Sequence, residues 1–148
     1  MLSDKTLSFL LAMQQDELDE SVIYSKIART VKDEANRGVL ERISADERSH
    51  YEVWKRYTGR ELKPRRLKIL LTVLTAMILG FTFAVKRMES REKTAGPAYA
   101  QLVEEVPEAA EISKQEDEHE RQLLAMLDEE RLRYVGSMVL GLSDALVE

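Results

Sequence analysis

The sequence predicts an all-α fold: a four-helix bundle with a crossover between its second and third helices, assembled as a dimer. Three observations carry this. Apolar residues recur at three- and four-residue spacing through most of the chain, the period of an amphipathic helix. Of the 148 residues, 33% are charged and 44% hydrophobic, a soluble, helix-rich balance within the length of one domain. A Glu also stands three positions before each of the 2 His, in Glu47-Arg48-Ser49-His50 and Glu116-Asp117-Glu118-His119. Positions three apart share one face of a helix.

Composition narrows the function classes. The net charge of -5 argues against nucleic acid as a partner, because phosphate binding needs a basic surface. The chain has no Cys, which excludes disulfides, thiolate ligands and a Cys nucleophile. A bound metal must then have O and N ligands, which favours iron, manganese or zinc over soft-ligand sites. Met1-Leu2-Ser3-Asp4-Lys5 lacks the charged region and apolar core of a secretory signal, so a cytoplasmic setting is expected.

The first helix is capped by Ser3 or Asp4. Leu7, Leu10, Leu11, Gln14, Glu17, Tyr24, Ala28 and Val31 mark its inner stripe to about residue 31. Glu17 stands on that apolar stripe. Burying a lone carboxylate costs several kcal/mol, so either Glu17 points to solvent or something positive is bound. Glu20 lies one turn on and can share its surroundings. Lys32-Asp33-Glu34 reads as a turn with Asp33 capping a second helix. That helix runs to about Tyr57 and stops at Thr58-Gly59. Its stripe is Leu40, Ile43, Glu47, His50, Trp54 and Tyr57, again polar groups in register with apolar ones.

Residues 60–66 form a basic connection containing Pro64. Fully extended it reaches about 30 Å, just enough for a crossover along a bundle, so exchange of helices between two chains is an alternative. Ile69 to Val85 is almost wholly apolar. It is at the lower length limit for a membrane span and carries Thr72, Thr75 and Thr82. It also runs on into Lys86-Arg87-Met88-Glu89-Ser90-Arg91-Glu92. This predicts a core helix covered by its own bundle and by a second subunit. Gly96-Pro97 interrupts it, and Ala98 to Glu105 resumes as helix. Pro107 falls in the first turn of the last long helix, whose stripe is Ile112, Glu116, His119, Leu123, Met126 and Leu127. Residues 1–133 read as one domain. Residues 134–148 are apolar and rich in small residues, and read as the start of a membrane segment.

The two halves repeat. Glu17 is followed by Tyr24 after seven positions and then by Glu47 with His50; Glu92 is followed by Tyr99 after seven and then by Glu116 with His119. Glu17-x-x-Glu20 also matches Glu89-x-x-Glu92. Carboxylates and imidazoles on facing helices make a dinuclear metal site.

This arrangement resembles the ferritin-like superfamily, its rubrerythrin-type branch in particular, over most of residues 5–132. The resemblance implies a diiron centre. Its ligands would be Glu17, Glu47, His50, Glu116, His119 and one or both of Glu89 and Glu92, with Glu20 as a possible addition. Glu47 and Glu116 would bridge the irons. Tyr24, the candidate catalytic residue, would hydrogen-bond a ligand or shield the site. The chain lacks the Cys-rich part many rubrerythrins carry, and Gly96-Pro97 departs from their usual third helix.

Gly141-Leu142-Ser143-Asp144-Ala145-Leu146-Val147-Glu148 is similar to the start of the first membrane helix of the vacuolar iron transporter family. Some members carry a ferritin-like domain before the membrane part and are described as membrane-bound ferritins. That implies a cytosolic domain, tethered to a transporter domain, that captures and oxidises Fe(II). Two other readings are a stand-alone peroxide reductase of rubrerythrin type and a metal-free helical dimerisation module whose Glu and His are structural.

Overall fold

A computed structural model describes residues 2–79 and 102–147. Among the described residues every regular element is helical. Helix α1 spans Asp4–Ala28 and α2 spans Glu34–Thr58. Helix α3 spans Arg66–Leu79, and α4 spans Ala109–Val147.

The caps follow from the residues present. Ser3, rather than Asp4, caps α1: its Oγ accepts from Thr6 N at 3.1 Å. The helix ends at Ala28, short of the predicted Val31, because Thr30 and Val31 donate to the Ile27 and Ala28 carbonyls in a turn. Asp33 caps α2 as predicted, accepting from Asn36 N at 3.0 Å. Gly59 ends it at φ 65°, a left-handed conformation in which a Cβ would be strained.

The short 29–33 connection makes α1 and α2 antiparallel neighbours. Thr58 Oγ1 donates to Gln14 Oε1 at one end, and Ser44 Oγ donates to the Ser21 carbonyl further along, each at 2.7 Å. Residues 60–65 then keep beside a short stretch of α1. Gln14 donates to the Arg60 carbonyl at 2.8 Å and Gln15 to that of Lys63 at 3.2 Å. Arg65 donates through N and Nε to Asp19 at 2.8 and 2.6 Å. These contacts tie the connection to one part of α1, from Gln14 to Asp19.

In α3, Ile69 and Ala76 are buried, while Leu67, Leu70, Leu71, Leu74, Met77 and Ile78 are exposed. No described helix is long and apolar enough to cross a membrane. Residues 102–105 form one helical turn, and Pro107 lies in the turn just before α4 instead of within its first turn. Helix α4 runs antiparallel to α2: Glu108 meets Tyr57, Gln115 meets His50 and His119 meets Asp46. It stays helical through residue 134, where the sequence changes character.

The core is in two parts. One holds Ile23, Ile27, Leu40, Ile43, Leu123 and Met126; the other holds Leu10, Trp54, Leu102, Val106 and Ile112. Each fully buried side chain of this size contributes about 1.5–3 kcal/mol. Between the two parts, in the order of residues along α1, α2 and α4, come Glu17, then Glu47 with His50, then Glu116 with His119. The polar groups therefore form a layer with apolar packing on either side.

Candidate metal centre

Each side chain of the polar layer is there because of its helical register. Glu17 follows Leu10 by two turns, Glu47 follows Ile43 by one turn, and Glu116 follows Ile112 by one turn. The same stripes that bury Leu and Ile thus bury carboxylates. Glu47 is 1% exposed, His50 2%, His119 5% and Glu17 7%.

One ligand atom from each of Glu17, Glu47, His50 and Glu116 falls within 4.8 Å of the others. His50 Nδ1 lies 2.9 Å from Glu116 Oε1, 3.4 Å from Glu47 Oε2 and 3.6 Å from Glu17 Oε2. His119 occupies the other side. Its Nδ1 lies 3.2 Å from Glu47 Oε1 and 3.9 Å from Glu116 Oε2. Glu47 and Glu116 therefore each turn one oxygen toward His50 and the other toward His119. The imidazole rings lie 5.9 Å apart, centre to centre.

Both imidazoles present Nδ1 to the carboxylates because their other nitrogens are engaged. His50 Nε2–H donates to Gln115 Oε1 at 2.7 Å, and His119 Nε2–H donates to Asp46 Oδ2 at 3.0 Å. This is how a metal-binding His is commonly held: the far nitrogen keeps its proton for an outer acceptor, and the near lone pair is free for the metal. Glu17 is oriented in the same way. Trp54 donates its indole N–H to Oε1 at 3.1 Å, leaving Oε2 facing the cluster.

Burial and mutual proximity set the electrostatics of this layer. Burial pushes Glu17 well above the usual carboxylate range, and neighbouring Glu47 pushes it further. Burial also raises Glu116, against the pull of His50. Burial works to raise Glu47 too, but Glu17, His119 and His50 around it prevail and bring it down to about 2. For His50 burial favours the neutral ring, yet the carboxylates of Glu116, Glu17 and Glu47 outweigh it and hold the imidazole charged far beyond its usual range. For His119 burial again favours the neutral ring, and Glu47 and Asp46 outweigh it and raise its pKa above the ordinary imidazole value.

The fit to a metal rests on one observation above the others. Among the described residues, three buried side-chain atoms have no hydrogen-bond partner outside the cluster: His50 Nδ1 faces only carboxylates, Glu116 Oε1 at 2.9 Å and Glu47 Oε2 at 3.4 Å among them. Buried charged groups that have only one another are costly. These three converge on one space and are two carboxylate oxygens and one imidazole nitrogen, the donors that suit iron, manganese or zinc. A buried cluster of Glu17, Glu47, His50 and Glu116 can hold a metal ion.

Five of the sequence-predicted residues thus meet: Glu17, Glu47, His50, Glu116 and His119. Glu20, half-buried one turn along α1, is not in the four-residue group. Tyr24 is buried in the core part that contains Ile23 and Leu40. Glu89, Glu92, Tyr99 and Gly96-Pro97 lie outside the described residues. Sequence reasoning missed Asp46, Gln115 and the bond from Trp54. A signal for the first two was present: Asp46 immediately precedes Glu47, and Gln115 immediately precedes Glu116.

No family model, curated protein or solved structure matches the chain.

Proposed function

We propose that this chain is a non-haem iron-binding domain of ferritin-like type, which captures Fe(II) and oxidises it at a dinuclear site that Glu47 and Glu116 would share. The observation that carries the reading is the division of those two carboxylates. Each directs one oxygen to His50 and the other to His119, which supports one metal position beside each imidazole. Glu17 would complete the His50 position; for the other, the resemblance names Glu89 or Glu92, which lie outside the described residues. Two Fe(II) held there would supply, on going to Fe(III), the two electrons that with two protons reduce O2 to hydrogen peroxide.

The chain's own residues do the rest. Glu17, Glu47 and Glu116 offset the charge of incoming cations, and carboxylate oxygens favour the harder ferric ion. The imidazoles give up their Nδ1 protons as metal enters. The flanking apolar parts bury Glu17, Glu47, His50 and His119 between them, while Glu116 keeps partial access to solvent. Tyr24 would shield the site from the Ile23 side.

The tail's similarity to a transporter's first membrane helix supports placing the domain on the cytosolic face of a membrane, tethered to an iron-transporting part. The exposed apolar side of α3 supports a homodimer through that helix.

The test is Fe(II) oxidation in air-saturated buffer. Faster formation of Fe(III) than with free iron, lost in His50→Ala with Glu116→Ala, is the expected result. Oxidation no faster than that of free iron, or unchanged in the double variant, contradicts the reading. Recovery of the intact gene product in the soluble fraction would contradict the tether, and solution scattering from a monomer would contradict the dimer.

A further inference from the structure

The two halves of the site repeat one device with one difference. In each half, the residue just before the Glu of Glu-x-x-His crosses to the opposite helix and accepts from the other half's His. Asp46 of α2 reaches His119 of α4, and Gln115 of α4 reaches His50 of α2. The positions correspond, but their chemistry does not. Asp46 puts a carboxylate behind one imidazole, while Gln115 puts a neutral amide behind the other.

We propose that the two metal positions are inequivalent because of this difference, and that Asp46 is a positioning residue that tightens metal binding at His119 selectively. The proposal rests on the dinuclear reading above. The reason is the donor strength of imidazole. A carboxylate accepting the far N–H draws that proton away and makes the near nitrogen a stronger donor; an amide oxygen does so less. Outer acceptors of this kind contribute about 10–100-fold to metal affinity. The Asp46 side chain is 52% exposed, so water screens part of its charge, and the lower end, about tenfold, applies.

The second half of the device predicts a gain. Gln115 is exposed, and Gln115→Glu would place an anion behind His50 without disturbing the core. Structural damage weakens binding but does not tighten it, so a gain separates charge tuning from mere support.

The experiment is a Co(II) titration of the full chain, followed by the absorption of bound Co(II), for wild type, Asp46→Asn, Gln115→Glu, His50→Ala and His119→Ala. The expected wild-type result is two binding steps, one lost in each His variant. Asp46→Asn should weaken by about tenfold the step that His119→Ala abolishes, leaving the other within about twofold. Gln115→Glu should tighten the step that His50→Ala abolishes. The inference is overturned if Asp46→Asn weakens both steps alike or neither, or if Gln115→Glu tightens nothing. Binding of two Co(II) with those results leaves the dinuclear reading standing while the inequivalence falls. Wild type that binds no Co(II) overturns both.

Discussion

Trp54 of α2 donates its indole N–H to Glu17 Oε1 of α1 at 3.1 Å, with both side chains buried. It is the chain's 1 Trp, so its fluorescence reports on the carboxylate it holds. Adding Fe(II) or Co(II) should quench that emission in proportion to metal bound, up to saturation. Emission unchanged at saturation would separate Glu17 from the metal. Trp54→Phe should cost about 1–3 kcal/mol of stability through the buried acceptor left alone, measured as a shift in the urea midpoint.

Glu47 sits between the two imidazoles and gives each an oxygen. Its removal therefore takes a ligand from both positions. Glu47→Ala should lower metal affinity more than about 100-fold, beyond the 10–100-fold typical of outer partners alone. Equilibrium dialysis with Co(II) checks this, and a loss of less than tenfold would count against the shared role.

The pH dependence has a definite sign. His50 and His119 titrate above their ordinary range in the folded protein. Their stabilising effect is complete below about pH 6.5, the unfolded value, and declines as pH rises through the folded values. Glu17, also raised, works in the same direction above the unfolded carboxylate value. Glu47, lowered to about 2, contributes above its unfolded value and loses that contribution as pH falls toward 2. The metal-free protein should then melt at progressively lower temperature from pH 6.5 to pH 9. Saturating metal should reverse much of the loss, adding about 2.7 kcal/mol at 100 times Kd. Thermal melts with and without Co(II) would show both effects; a melting temperature that rises with pH in the metal-free protein contradicts the assignment.

Asp19 is 0% exposed and accepts from Arg65 N and Nε, anchoring the connection after α2 to α1. Asp19→Ala should cost about 1.5–3 kcal/mol, the range for hydrogen bonds to a charged group. The half-exposed Arg65 can turn to water, which keeps the cost below that of breaking a fully buried pair. Metal affinity should change little, since Asp19 faces away from the cluster toward residues 65–68. Denaturant unfolding and Co(II) dialysis together check the two halves of this expectation.

Much of the site was legible because helical register converts spacing into position. Glu17, Glu47, His50, Glu116 and His119 stand on stripes whose neighbours are Leu and Ile, and a stripe that buries Ile43 also buries Glu47 one turn on. The caps at Asp33 and Gly59 were legible for the same local reason. What escaped was lateral. Asp46 and Gln115 lie off the inner stripe, and their reach to the opposite helix depends on how α2 and α4 are set against each other. The contacts of residues 60–65 were not legible either, because they are made to Gln14, Gln15 and Asp19, three α1 side chains whose partners no periodicity names.

The most direct test is the amount of iron the chain holds. Anaerobic titration with Fe(II), followed by removal of free metal and elemental analysis, should find about two irons per chain. Admission of air should then develop the near-ultraviolet absorption of Fe(III). His50→Ala with Glu116→Ala should hold neither iron. Wild type that retains no iron, or a double variant that retains as much as wild type, would contradict a dinuclear centre at this layer.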